Sequence, residues 1–335
     1  MHHRHQLALG LFDEDQPPPY PDDPSAIVVS VSGGLDSDYA ALWARRRWPN
    51  HPIILWHAHL EQMDWPDTPT HLEMLAAALG NCRLLICQAV YELNGTATPS
   101  GCNGTTLRRL HLVRDGDIYF GPASDDDPSA ILTLLDFARK ARDGRPPTRA
   151  HRWCTSYFKT RLFDTWARAN RDMLGERSVL LSGERWAAES EQRSHVRPWE
   201  WREAIGLKPS RKRNAPWPRG WRMLWARPGI ALGLHDVAGA VIAAGIEPHI
   251  GYFDQGETLA SLLDPHRDER ARARLSCRCC IFSHRRHIQR ALDTRPGVMG
   301  PAVEVIQDYE RDTGYSWQQR GPLDLRCAGK NQQSA

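Results

Sequence analysis

No stretch of the 335 residues stays apolar for the roughly 18 positions that a membrane span needs. The opening Met1-His2-His3-Arg4-His5 also lacks the apolar run of a secretory signal, so the expectation is a soluble, cytoplasmic chain with no membrane partner. An excess of one charge is missing too: 43 Lys+Arg face 40 Asp+Glu, a net charge of +3. That balance excludes a histone-like coat for polyanions and leaves room only for a local basic face. Lysine is scarce, at positions 140, 159, 208, 212 and 330, and the other 38 basic residues are arginine. A GC-rich genome accounts for such a bias, and so do nucleic-acid contacts. The eight cysteines, at 82, 87, 102, 154, 277, 279, 280 and 327, lack the dense spacing of a small disulfide scaffold. In a reducing compartment their clustering points to metal or sulfur chemistry. No internal repeat is present, which excludes solenoids and propellers.

What the chain does contain is an alternation of buried-strand and helix signals. Residues 1–24, with Gln16-Pro17-Pro18-Pro19-Tyr20-Pro21, bury little and are expected as a disordered tail. Ala26–Val31 is a β-branched run followed by a helical stretch from Asp36 to Trp48. Ile53–His57 and Arg83–Val90 repeat the strand signal around a helix at Thr70–Leu79, and Ser178–Ser182 is a later strand. Helices are expected over Ser129–Arg142, Thr155–Leu174 and Asp236–Ala244, and residues 94–128 read as an irregular insertion. The pattern predicts an α/β fold with a doubly wound parallel sheet. A nucleotide-binding domain is expected over 25–234, and a mainly helical, cysteine-containing region over 235–335.

Between the first strand and its helix stands Ser30-Val31-Ser32-Gly33-Gly34-Leu35-Asp36-Ser37. Two glycines let the backbone turn its amides toward an anion, the helix N-terminus adds a favourable dipole, and the serine hydroxyls are further donors. The segment is therefore a polyphosphate cradle. It is neither a Walker A loop nor the dinucleotide G-x-G-x-x-G. It resembles the S-G-G-x-D-S signature of the PP-loop ATP pyrophosphatases, whose fold is that of the adenine nucleotide alpha hydrolases. The resemblance implies that the loop holds the pyrophosphate of ATP while the α-phosphate is attacked, with Asp36 serving Mg²⁺ or the phosphates.

Two further blocks, His151-Arg152-Trp153-Cys154-Thr155 with Lys159 and Gly183-Glu184-Arg185 with Glu189, Ser190 and Arg193, resemble the phosphoadenylylsulfate (PAPS) reductase-like branch of that family. Ile230, Leu232, Asp236, Gly245, Pro248 and Tyr252 follow the same branch, so the resemblance spans about residues 26–285. It implies catalytic roles for Asp36, Lys159 and Arg185. Arg185 and Arg193 can converge on phosphates through bidentate guanidinium contacts, with Glu189 pairing either one. His57 and His59, past the second strand, lie where the family places adenine and ribose contacts. They suit a base, a metal ligand, or ordinary hydrogen-bonded loop residues. Sulfonucleotide reductases themselves have a degenerate loop and a terminal cysteine motif whose flanks Cys327 lacks. The resemblance is thus closer to the ATP-cleaving members that serve DNA phosphorothioation and sulfur insertion, with a cysteine desulfurase or other sulfur donor as implied partner.

Cys277 and Cys280 have the C-x-x-C spacing that lets two thiolates reach one metal, and Cys279 lies between them. In cluster-bearing relatives a later C-x-x-C shares a 4Fe-4S centre with the cysteine matching Cys154. Zinc, aided by His284 and His287, is the alternative, and free buried thiols a third reading. Finally, Arg193–Arg227 carries ten basic residues among Trp199, Trp201, Trp217, Trp221 and Trp225. That mixture suits a nucleic-acid groove, a small sulfonucleotide pocket or a solvated loop. The functions that remain are ATP-dependent adenylylation of an acceptor for sulfur transfer, sulfonucleotide reduction, and a non-catalytic nucleotide-binding subunit.

Overall fold

The structure is a computed structural model and describes residues 20–93, 105–112, 131–148, 150–186, 196–203, 222–268, 271–275, 277–318 and 323. Its strands are β1 (Ile27–Ser30), β2 (Ile53–His59), β3 (Cys82–Leu93), β4 (Thr105–Leu112), β5 (Ile131–Leu132), β6 (Val179–Ser182), β7 (Trp199–Glu203) and β8 (Arg222–Ala226). They form one sheet in the order β4-β3-β2-β1-β6-β8-β7, and β5 also pairs with β3. From β3 to β8 every neighbouring pair is parallel. The flanking pairs, β3 with β4 and β7 with β8, are antiparallel.

The strands are short and apolar because both faces are covered. In β1, Ile27 and Val29 enter one core and Val28 the other, the two-residue alternation of a pleated strand. Helices α1 (Leu35–Arg47) and α2 (Thr68–Leu79) cover the first face, joined by α4 (Leu234–Ala243) through Val237 and Val241. The opposite face receives α3 (Arg161–Ala169) through Phe163 and Trp166, with α6 (Arg285–Thr294) and α7 (Pro296–Thr313) through Ala291, Leu292, Val303 and Ile306. The α/β, doubly wound architecture and the helical C-terminal region are therefore both present. Because α4 completes the core under α1, that core runs across the expected boundary at residue 234.

Several expectations need correction. Residues 1–19 of the expected tail lie outside the described residues, while Tyr20 packs against Trp43 and Trp48 and the Trp48 indole donates to Pro21 O at 3.0 Å. Within the expected irregular insertion, 105–112 is the edge strand β4. Ile131–Leu132 is a strand, and the helix there starts at Leu134, after Thr133 accepts from the Asp136 amide. The helix expected over Thr155–Leu174 begins at Trp153, widens to a π-turn over Ser156–Thr160, runs to Ala169 and, after a break at Asn170, resumes over Arg171–Leu174. Such π-turns recur at functional sites, and this one carries Lys159.

In strand-order terms the sheet reads 3-2-1 on one side of β1 and continues through β6 and β8 on the other. Crossovers leave β1 and β6 in opposite directions, so a crevice opens beyond their carboxyl ends. Gly183, just past β6, is squeezed there: a Cβ would stand 2.3 Å from both Asp36 C and Ser37 N. Gly183→Ala should therefore displace the start of α1 and destabilise the fold by about 1–3 kcal/mol, the usual scale of overpacking. Urea denaturation measures this, and wild-type stability would contradict the close approach.

Candidate functional site

The Ser32–Ser37 loop lies at that crevice. Gly33 adopts φ +77, a left-handed turn that a side chain would strain, and a Cβ would meet His249 Cδ2 at 3.2 Å. Ser37 is the internal brace: its hydroxyl accepts from Ser32 N at 3.1 Å and donates to Gly34 O at 2.7 Å. Gly34, as N-cap of α1, brings no side-chain acceptor, and the Ser37 amide returns to Gly34 O at 2.9 Å. Leu35 N donates to the Tyr252 hydroxyl at 3.1 Å. The aspartates of the first turn do different work. Asp38 is fully buried and accepts from His71 Nε2 at 2.9 Å. Asp36 reaches the crevice.

Arg185, 4% exposed, donates through Nε to Asp36 Oδ1 at 2.5 Å. Two segments 149 residues apart thus place a guanidinium and a carboxylate beside the glycine loop. Ser30, Ser32, Gly33, Gly34, Leu35, Asp36 and Ser37 are brought together with Arg185 by that pair, whereas Glu189 and Arg193 lie outside the described residues. Glu184, next to Arg185, faces the other way and accepts from Arg227 Nε at 2.8 Å.

Beneath the loop sits a layer that the sequence reading did not single out. His249 is 1% exposed; its Nδ1 accepts from Gly251 N at 2.9 Å, so the neutral ring donates from Nε2 to Thr68 Oγ1 at 3.3 Å. Burial, reinforced by neighbouring His71, pushes its pKa down to about 3. His57 and His59 are on strand β2, not in a loop, and their i, i+2 spacing puts both on one face. Both rings converge on Asp64 Oδ2, at 2.8 Å from His57 Nε2 and 3.0 Å from His59 Nδ1.

The cysteines divide. Cys154 and Cys277 interact electrostatically with each other, with Cys280 and with Lys159, so one half-buried ammonium faces three thiols. Burial raises the Cys154 and Cys277 thiols, while Cys277 above all holds Lys159 above its ordinary value. Cys279 is a correction to the expected ligand set. It is fully buried in the core, its carbonyl accepts from the Trp317 indole at 2.8 Å, and its electrostatic neighbours are Arg278, Cys280 and Glu310. Burial pushes its thiol up to about 12. The whole segment is anchored to the turn before Asp64, because Arg278 N donates to Met63 O at 2.8 Å and its side chain to Gln62 O. His284 instead caps α6, where its Nδ1 accepts from Arg286 N at 3.2 Å.

The described part of Arg193–Arg227 is sheet, not loop. Arg227 is 3% exposed and bound to Glu184 and Glu200, and Arg202 pairs with Asp164. Both guanidiniums lie over the Trp225 ring, at 4.1 and 4.6 Å. Charges already neutralised and stacked this way are poorly placed to follow a phosphate backbone. Arg211, Lys212, Arg213 and Trp217 lie outside the described residues. No helix of the described residues is long and apolar enough to cross a membrane.

Compared with known proteins, the chain matches no protein-family model and no curated protein. Among solved structures it is similar to the phosphoadenylyl-sulfate (PAPS) reductase from Candida auris in its phosphate complex. The identity is 12% and the TM-score 0.34, over 76% of this chain and 85% of that one.

The neutral, buried His249 predicts a pH dependence. Its folded pKa lies below the unfolded value of about 6.5, so between about pH 6.5 and 3 the unfolded chain binds the extra proton. This contribution is fully present above pH 6.5 and is lost as the pH falls, with a slope of at most about 1.4 kcal/mol per pH unit. Denaturation midpoints of wild type and His249→Asn, which retains a cap acceptor, should converge as the pH drops through this window. Parallel profiles would contradict the assignment.

Proposed function

We propose that the protein is an ATP pyrophosphatase that adenylylates an acceptor for sulfur transfer and releases pyrophosphate. One observation carries the reading: the Ser32–Ser37 loop and the buried Arg185–Asp36 pair meet at the switch point of the sheet. Backbone amides at a helix N-terminus suit the β- and γ-phosphates of ATP. The acceptor attacks the α-phosphorus, the bond to the pyrophosphate oxygen breaks, and the guanidinium of Arg185 offsets the charge that develops on the leaving group. Asp36 holds Arg185 in place and is the oxygen donor this crevice offers to the Mg²⁺ that accompanies ATP.

Cys154, Cys277 and Cys280 interact with Lys159 and offer the soft thiolates that iron-sulfur clusters and zinc select, although among the described residues it is His57, His59 and Asp64 whose donor atoms lie within 4.8 Å of one another. A 4Fe-4S centre there would supply electron-transfer or sulfur-carrying chemistry. Lys159 supplies the positive charge that offsets thiolates at that point. The sulfur itself would come from a cysteine desulfurase or another donor. For the acceptor we favour nucleic acid, and its phosphates would fall to Arg211, Lys212 and Arg213 with Trp217 as the stacking platform.

With ATP and Mg²⁺ the wild-type protein should release pyrophosphate, and Asp36→Ala and Arg185→Ala should each lower the rate by about 10²-fold or more while circular dichroism stays unchanged. ADP and orthophosphate as products, or wild-type rates from both variants, would sink the reading. Nucleic-acid affinity should fall steeply with salt, and its salt slope should shrink by about one for each phosphate-contacting residue removed among Arg211, Lys212 and Arg213. A slope unchanged by the triple alanine variant would point to a small-molecule acceptor.

A further inference from the structure

The geometry points to a separate transition-metal site formed by His57, His59 and Asp64, distinct from the cysteine group. Their donor atoms all lie within 4.8 Å of one another. The carboxylate oxygen Oδ2 is the focus, and the Leu60 amide donates to it at 3.3 Å. The two imidazoles come from one face of β2 and the carboxylate from the end of the short turn that follows.

The tautomer of His57 is what makes this more than a hydrogen-bonded loop. Its Nδ1 faces the Val31 carbonyl at 3.0 Å, and a carbonyl only accepts, so Nδ1 carries a proton. A neutral ring then presents the Nε2 lone pair to Asp64 Oδ2 at 2.8 Å, in surroundings where His57 is 3% exposed. Two acceptors face each other, and either a proton shared between them or a bound cation reconciles them. An Nδ1–H fixed by a backbone carbonyl with Nε2 left open is how metal-bound histidines are oriented.

The donor set names the cation class. Two imidazoles and one carboxylate suit Zn²⁺ or another divalent first-row ion and leave coordination open for water or a phosphoryl oxygen. Mg²⁺, which prefers oxygen ligands, is disfavoured, so this is not the ion that travels with ATP. Val31 directly precedes Ser32, which ties the site to the glycine loop; Asp64 also acts on Cys277 and Lys159, which ties it to the thiols. A cation here would stand between the two. The inference does not rest on ATP cleavage, because its readout is metal bound to the isolated protein.

The test is metal stoichiometry after chelator treatment, reloading with Zn²⁺ or Co²⁺ and gel filtration. Wild type should hold about one equivalent more than His59→Ala or Asp64→Asn. The Co²⁺ form should lose visible ligand-field absorption in those variants, yet keep any thiolate-to-cobalt charge-transfer band, which Cys277→Ser should weaken. His59→Gln, which preserves a donor toward Asp64, guards against misfolding: Zn²⁺ should raise the melting temperature of wild type by more than that of this variant. Equal metal content, or equal thermal shifts, in wild type and the His59 and Asp64 variants overturns the proposal.

Discussion

Everything at the crevice depends on the close approach of the β6 exit to the first turn of α1. Only a glycine at 183 lets the two backbones meet, and the Arg185–Asp36 ion pair then locks them. The Arg185 side chain is 5% exposed and that of Asp36 26%, so the pair is partly shielded from water and adds to the stability of the fold. The pair therefore joins stability to function. That guanidinium also stands beside the glycine loop.

A second constraint acts from below. Tyr252 takes the Leu35 amide, and His249 fills the space that a side chain at Gly33 would need. Both come from the chain after α4, and Arg295 binds Asp67 and Asp254 to hold that region against the turn before α2. The cysteine segment is fastened to the same turn by Arg278. The glycine loop, a histidine–aspartate cluster and a thiol group thus share one framework.

Much of this was legible because it is local. Ser32-Gly33-Gly34 between a β-branched run and a helix specifies its own turn, and the apolar strands β1, β2, β3 and β6 announce a sheet buried on both faces. The edges were harder. β4 carries Arg108 and Arg109 in its middle and lacks the apolar run of a buried strand, while the alternation Trp199-Glu200-Trp201-Arg202-Glu203 was hidden by its basic and aromatic composition. The convergence of Asp64 with His57 and His59 was legible only in part: strand spacing puts the two rings on one face, but the short turn that returns Asp64 to them has no sequence signature. His249, Asp38 and His71 could not be read at all, since 178 residues separate the two histidines whose rings pack at 5.1 Å.

The claim on which the account rests is that the switch-point crevice receives the polyphosphate of ATP. The most direct measurement is a crystal structure of the wild-type protein with the α,β-methylene analogue of ATP and Mg²⁺. The β- and γ-phosphates should lie on the amides of the Ser32–Ser37 loop with Arg185 in contact. An analogue bound elsewhere, or phosphates turned away from the loop and from Arg185, would contradict it.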